Sequence, residues 1–310
     1  MKTVAFIGTG VMGSSMAGHL LDAGYELVVH NRTKDRARGL LDRGARWAET
    51  PAEAARDADA VVTIVGYPRD VEQVYFGASE TAASVASGGA GSSEVSGVIG
   101  AARPGTYLID MTTSEPSLAA RIASAASARG LHALDAPVSG GDIGARNATL
   151  TIMVGGSEAA FGAVEPLLRA MGTSVVLQGG PGAGQHTKMA NQIAIAGTMI
   201  AVCEALTYAR AAGLDAARAV ESIGAGSAAS WTLTNLAPRM LSGDFAPGFY
   251  VKHFLKDMRI ARAEAASLGV RLPGLALAER LYEILAEGGG QDLGTQALYR
   301  LYASGDAPAQ

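Results

Sequence analysis

The stretch Gly8-Thr-Gly10-Val-Met-Gly13 constrains the fold more than any other, because of what flanks it. A β-rich apolar run, 3–7 (TVAFI), leads into it, and a helix-forming run over 12–23 leaves it. At such a strand–turn–helix junction each glycine has a physical reason. The first permits the tight turn, the second lets the backbone approach a pyrophosphate, and the third lets helix and strand pack closely. The helix N-terminus offers unpaired N–H groups and a partial positive charge to an anion. A second strand over 26–30 (ELVVH) completes the unit. Gly8, Gly10, Val11, Met12 and Gly13 therefore read as a dinucleotide cradle.

Alternation continues beyond it. Strands are predicted at 60–65, 106–110, 131–134, 150–154 and 174–177. Helices are predicted over 12–23, stopped by Gly24; after Thr50-Pro51-Ala52-Glu53, which reads as a capping box; over 117–129, with Ser114 as a candidate cap; and from Ser157 to near Gly172. Strands that are apolar throughout, separated by helices, imply a parallel sheet covered on both faces. After residue 180 the strand signals stop. Helices are predicted over 186–212, 215–224, 228–241, 251–268, 273–287 and 292–302. The expected fold is α/β: an N-terminal Rossmann-type doubly wound sheet (1–180) and a C-terminal all-α domain (181–310), joined by a long interdomain helix. Residues 77–101, almost entirely Gly, Ala, Ser, Val and Thr, read as a surface loop, either a plain insertion or a lid. The tail 304–310 reads as frayed.

Composition narrows the function classes. The chain has 310 residues, 48% apolar and 17% charged, enough for a substantial core. A net charge of −4 with no basic block points away from nucleic acid. The single cysteine, Cys203, excludes an internal disulfide and suggests a reducing, cytoplasmic setting. The N-terminal apolar run is too short for a signal peptide, and the run 193–203 is too short for a membrane span. The five histidines show no metal spacing, so no metal is expected.

The end of the second predicted strand bears on which dinucleotide binds. Binders of NAD usually place a carboxylate there for the ribose 2′-hydroxyl. Here the residues are Asn31, Arg32 and Thr33. No carboxylate stands there to repel a 2′-phosphate, Arg32 can pair with one, and Thr33 can donate to it. This favours NADP(H) over NAD(H), unless Arg32 is only one surface arginine among Lys34, Arg36 and Arg38.

Lysine is scarce. Of 25 basic residues 20 are arginine, leaving Lys2, Lys34, Lys188, Lys252 and Lys256. Guanidinium cannot exchange a proton at working pH, so arginine cannot replace a lysine that must give up or take one. Lys188 stands out, within Gly182-Ala-Gly-Gln-His-Thr-Lys188-Met-Ala-Asn191-Gln192 at the mouth of an apolar helix. Hydride addition to a carbonyl builds negative charge on oxygen, which an ammonium stabilises and then protonates. Asn191 at i+3 and Gln192 at i+4 share its helix face. Ser139-Gly140-Gly141, after the predicted strand 131–134, can free backbone N–H groups to form an anion nest. The alternative readings are a snorkelling lysine and a structural turn.

Four blocks in order, Gly8–Gly13 with Asn31-Arg32-Thr33, Asp135-Ala-Pro-Val-Ser139-Gly140-Gly141, Gly182–Gln192 and Lys256-Asp257, make the chain resemble the β-hydroxyacid dehydrogenase family. The resemblance spans nearly the whole chain except 77–101. It implies Lys188 as general acid/base, with Ser139, Gly140 and Gly141 on a substrate carboxylate. Asn191 and Gln192 would orient the lysine or bind substrate; many members have Asn-Asn there. It implies further that Thr113, within Thr112-Thr113-Ser114, lines the nicotinamide. Lys256 would approach the nicotinamide with Asp257 holding it, and Phe249 would lie near the pocket. The implied substrate is a small carboxylated aldehyde or 3-hydroxy acid, and the implied assembly a homodimer or homotetramer. An imine reductase on this scaffold is disfavoured, because such relatives usually replace the lysine. A non-catalytic dinucleotide-binding module is disfavoured by Lys188 together with Ser139-Gly140-Gly141. A 6-phosphogluconate dehydrogenase-like reading lacks a phosphate-binding cluster.

Overall fold

The computed structural model describes residues 1–77 and 97–304. They form two compact units, Met1–Lys188 and Met189–Gln310. The division falls inside a helix, eight residues beyond the boundary expected from sequence.

The first unit is built on a nine-stranded sheet. Its strands are β1 Thr3–Ile7, β2 Glu26–His30, β3 Arg46–Trp47, β4 Ala60–Thr63, β5 Tyr107–Asp110, β6 His132–Asp135, β7 Val138–Ser139, β8 Leu150–Gly155 and β9 Gly172–Gly179. Its helices are α1 Val11–Asp22, α2 Arg38–Leu41, α3 Pro51–Ala55, α4 Pro68–Phe76, α5 Val98–Ala101, α6 Pro116–Ser127, α7 Gly141–Arg146 and α8 Glu158–Arg169. The order β3-β2-β1-β4-β5-β6 is parallel throughout. It is the doubly wound order, in which strand direction of growth reverses between β1 and β4 and ligands bind at the carboxyl ends. The central strands are buried on both faces. Phe6, Val29, Val62 and Ile109 pack on the side of α1, α7 and α8, and Ala5, Ile7, Val61 and Leu108 on the side of α3 to α6.

The sheet departs from the expected all-parallel form. β8 runs antiparallel to β6 and β7, then pairs parallel with β9. The two-residue strands β3 and β7 are too short to leave a sequence period. Gly140 (φ 130°) and Gly141 (φ 62°) turn the chain directly after β7 into α7. The expected capping box forms by half: Thr50 Oγ1 accepts the Glu53 N–H at 3.0 Å, but the Glu53 carboxylate accepts from Glu49 N–H at 2.8 Å, one residue before the cap. Ser114 does not cap α6; the cap position is Glu115, with Pro116 in the first turn. Of the expected loop 77–101, residues 98–101 form α5 with Val98 and Ile99 buried. Residues 78–96, and with them the lid-or-insertion question, lie outside the described residues, as does the tail 305–310.

Helix α9, Ala183–Ala211, begins in the first unit and ends in the second. The second unit continues with α10 Ala216–Gly224, α11 Trp231–Asn235, α12 Ala237–Ser242, α13 Val251–Ser267, α14 Pro273–Glu287 and α15 Tyr299–Ser304. By length and composition α9 is apolar enough to cross a bilayer, with mean hydropathy 1.4 in its most apolar window. Here Met199, Cys203 and Leu206 are spent on the core of the second unit, with Phe254, Met258 and Tyr282. Burial pushes the Cys203 thiol well above its ordinary value, which leaves it inert. The helix expected over 228–241 is two: Ser230 caps α11, and Pro238, in the first turn of α12, has no N–H to donate back into α11. The helix expected over 292–302 is two 3₁₀ turns followed by α15.

Candidate functional site

The turn after β1 has the shape a pyrophosphate needs. A Cβ on Gly8 would lie 2.0 Å from the Ile64 carbonyl oxygen, and one on Gly13 would lie 1.9 Å from the Gly8 carbonyl oxygen. Both positions are closed to any other residue. A Cβ on Gly10 would meet nothing within 4 Å, so the space beyond it is open. Gly10 caps α1 without a side-chain bond, which leaves the first-turn N–H groups for a ligand. Val11 is exposed and Met12 half-buried against the core. These features fit a bound dinucleotide, with Gly8 to Gly13 holding the pyrophosphate.

Asn31 has a structural task there. Its Oδ1 accepts the Thr9 N–H at 3.2 Å and its Nδ2 donates to the Thr33 carbonyl at 2.9 Å, tying the glycine turn to the end of β2. Arg32 projects outward, its side chain 81% exposed, and Thr33 is in extended conformation beside it. A carboxylate from elsewhere in the chain stands near. Asp70, from the first turn of α4, lies 3.4 Å from Arg32 and accepts the Tyr67 N–H. Sequence offered no signal for a partner so distant along the chain.

The carboxyl ends of β5 and β6 meet the start of α9. Thr112 Oγ1 accepts the Val65 N–H at 3.0 Å, and Thr113 beside it is half-buried. Asp135, 4% exposed, accepts the Gly182 N–H at 2.7 Å and the Gln185 N–H at 2.8 Å. It thus caps α9 from outside the helix. Burial pushes its carboxyl above the ordinary value, against these N–H groups, which pull it down. The absence of side chains at Gly155 and Gly184 makes room for it. Gln185 is fully buried; its Oε1 accepts the Ser114 N–H at 2.9 Å and its Nε2 donates to the Thr112 carbonyl at 2.7 Å.

Less than one turn further along α9, Lys188 is 6% exposed and its Nζ donates to the Val138 carbonyl at 2.8 Å. That carbonyl immediately precedes Ser139. Ser139 lies within β7, paired with Thr151, a strand not predicted from the sequence. Gly140 and Gly141 do form the turn, both at positive φ. The structure therefore brings Lys188 to the Ser139-Gly140-Gly141 segment.

In the second unit a second set of groups is linked. Gln192, 1% exposed, accepts from Asn191 Nδ2 at 2.8 Å and donates to Asp257 Oδ2 at 2.6 Å. Asp257, also 1% exposed, has Lys256 Nζ 2.9 Å from Oδ1, as a charge contact without a directed hydrogen bond. Both ends of the Gln192 amide are thus engaged by the protein, where the resemblance had offered substrate binding as an option. Phe249 packs against Phe254 with ring centroids 5.7 Å apart.

The five lysines now separate. Lys2, Lys34 and Lys252 pair with Glu26, Glu49 and Asp292, with side chains 79%, 58% and 40% exposed. Lys256 is 12% exposed and Lys188 is buried. Among the described residues, no group of three or more His, Cys, Asp or Glu is placed to hold a metal ion.

Known proteins resemble this chain over almost its full length. Residues 3–180 match the family described as the NAD binding domain of 6-phosphogluconate dehydrogenase. Residues 182–302 match that described as NAD-binding of NADP-dependent 3-hydroxyisobutyrate dehydrogenase. An uncharacterised oxidoreductase of Bacillus subtilis is 52% identical, covering 97% of this chain and 99% of its own. The 2-hydroxy-3-oxopropionate reductase of Escherichia coli is 37% identical, covering 95% of each chain. The structure of Mycobacterium tuberculosis 3-hydroxyisobutyrate dehydrogenase with L-serine superposes with a TM-score of 0.84 at 30% identity, covering 97% of this chain and 98% of that one. With the glycine cradle and the doubly wound sheet, these matches establish that the chain belongs to the β-hydroxyacid dehydrogenase family of NAD(P)-dependent oxidoreductases.

Proposed function

We propose that this chain is an NADPH-preferring reductase that interconverts a small 3-hydroxy acid and its semialdehyde or oxo acid, with Lys188 as the general acid/base. The observation that carries this reading is Lys188 itself. It is a buried lysine in a chain where 20 of 25 basic residues are arginine, held at the Val138 carbonyl next to Ser139-Gly140-Gly141. NADPH, when bound, supplies the hydride. The residues of the chain do the rest.

The serine hydroxyl and backbone N–H groups of 139–141 bind the substrate carboxylate. This holds the carbonyl of a short substrate near the Lys188 ammonium. As the carbonyl carbon is reduced, negative charge develops on its oxygen; the ammonium stabilises that charge and transfers a proton to it, leaving a hydroxyl and a neutral amine. In the oxidative direction the neutral amine accepts the hydroxyl proton. Arg32 and Thr33 recognise the 2′-phosphate; the exposed guanidinium, 81% accessible, supports this. Asp257, held by Gln192, pairs with Lys256, which would approach the nicotinamide. The names of the relatives, a 2-hydroxy-3-oxopropionate reductase and a 3-hydroxyisobutyrate dehydrogenase, support a substrate of this class.

The test is a panel of glyoxylate, succinic semialdehyde and tartronate semialdehyde, followed by loss of reduced-nicotinamide absorbance with NADPH and, separately, NADH. Turnover with NADPH is expected. No turnover across these and other carboxylated aldehydes would overturn the proposal.

A further inference from the structure

Two segments given separate tasks above, 112–114 at the end of β5 and Lys188 on α9, are bolted together by one side chain. Gln185 accepts the Ser114 N–H with Oε1 and donates to the Thr112 carbonyl with Nε2, at 2.9 and 2.7 Å. A primary amide is the group that offers one acceptor and one donor in this arrangement, and here it satisfies backbone groups on both sides of Thr113. Gln185 is fully buried, so neither bond can be replaced by solvent. Its own N–H is fixed by the Asp135 carboxylate at 2.8 Å. The position of Gln185 on the helix is therefore set from β6, and the position of 112–114 is set from Gln185. Lys188 is three residues on, at the next turn.

We infer that Gln185 is a positioning residue that couples the 112–114 segment to the helix turn carrying Lys188. This rests on the reading of Lys188 as acid/base. Thr113 and the lysine are then held in register by a single amide, and neither can shift alone without breaking one of its bonds. Reaction geometry is unforgiving at this scale: a displacement of about 1 Å can cost on the order of a hundredfold in rate.

Two variants of the full chain test this. Gln185→Leu removes both bonds at similar volume. Its kcat is expected to fall roughly a hundredfold while NADPH still binds, because the Gly8–Gly13 cradle is untouched. Gln185→Glu supplies a proton switch. Protonated, the carboxyl reproduces the amide, accepting from Ser114 and donating to Thr112. Ionised, it turns an acceptor toward the Thr112 carbonyl. The ratio of Gln185→Glu to wild-type kcat is expected to be near one in acid and to fall as pH rises. A merely structural role would change melting temperature but leave that ratio flat. Hydrogen exchange in the cofactor-free protein gives a readout independent of turnover: peptides covering 112–114 and 182–188 should lose protection together in Gln185→Leu. A wild-type kcat in Gln185→Leu, a pH-independent ratio in Gln185→Glu, or loss of protection in only one of the two peptides overturns the inference. If Gln185→Leu does not fold, Gln185→Glu decides. A wild-type chain inactive on the whole substrate panel refutes the proposed function instead, and the exchange result still decides the coupling.

Discussion

Asp135 is the hinge between the sheet and the helix that carries Lys188, and Asp135→Asn isolates its contribution. In the native chain the two carboxylate oxygens accept the Gly182 and Gln185 N–H groups at 2.7 and 2.8 Å. Asparagine keeps one acceptor. Its amide –NH₂ must then face an N–H donor, which is left unpaired in a site where the side chain is 4% exposed. Leaving a buried N–H without its acceptor costs about 1–3 kcal/mol. For a unit of this size each kcal/mol moves the melting midpoint by about 2–4 °C, so the loss is roughly 2–12 °C.

The pH dependence has a definite sign. Burial raises the Asp135 carboxyl above its ordinary value. Between that ordinary value and the raised folded value, the folded chain holds more protons than the unfolded one, so stability falls as pH rises through the window. Asparagine does not titrate. The advantage of wild type over Asp135→Asn is therefore largest at the acid end of the window and shrinks as pH rises through it. Calorimetric melts of both proteins across this range provide the assay. A midpoint unchanged by the substitution, or an advantage that grows with pH through the window, refutes the reasoning.

Two other substitutions address cofactor and lysine. Arg32→Asp removes the proposed partner of the 2′-phosphate and adds a second carboxylate beside Asp70; the NADPH/NADH ratio of kcat/KM should fall roughly ten- to hundredfold, and an unchanged ratio removes Arg32 from the account. Asp257→Asn leaves Lys256 without the carboxylate 2.9 Å from its ammonium; breaking a buried pair costs about 3–5 kcal/mol, so the second unit should melt earlier, and an unshifted transition would show the pair to be energetically neutral.

What could be read from the sequence follows the range of the interactions. The glycine turn, β1 and α1 are local: Gly8, Gly10 and Gly13 act within a single strand–turn–helix, so their spacing alone carries the geometry. The long helices of the second unit are legible for the same reason, except where Pro238 divides one of them. β7 escaped because two residues have no period, so Ser139 was read only as following the strand 131–134. Asp70, Asp135 and Gln185 were not assigned roles because each acts across the fold. Asp70 reaches Arg32 from α4, and Gln185 reaches Ser114 across more than seventy residues. Nothing in the neighbourhood of these residues marks them as buried and paired. Lys188 was legible only because lysine is rare here and its surroundings carry a motif.

The central claim is that Lys188 moves the proton. Lys188→Met keeps the length and apolar volume of the side chain and removes the ammonium, so the measurement is single-turnover reduction of the best aldehyde of the panel by bound NADPH. The account predicts that NADPH binds as in wild type while the chemical step slows by about two to four orders of magnitude. A Lys188→Met variant that binds NADPH and reduces the aldehyde at the wild-type rate would contradict it.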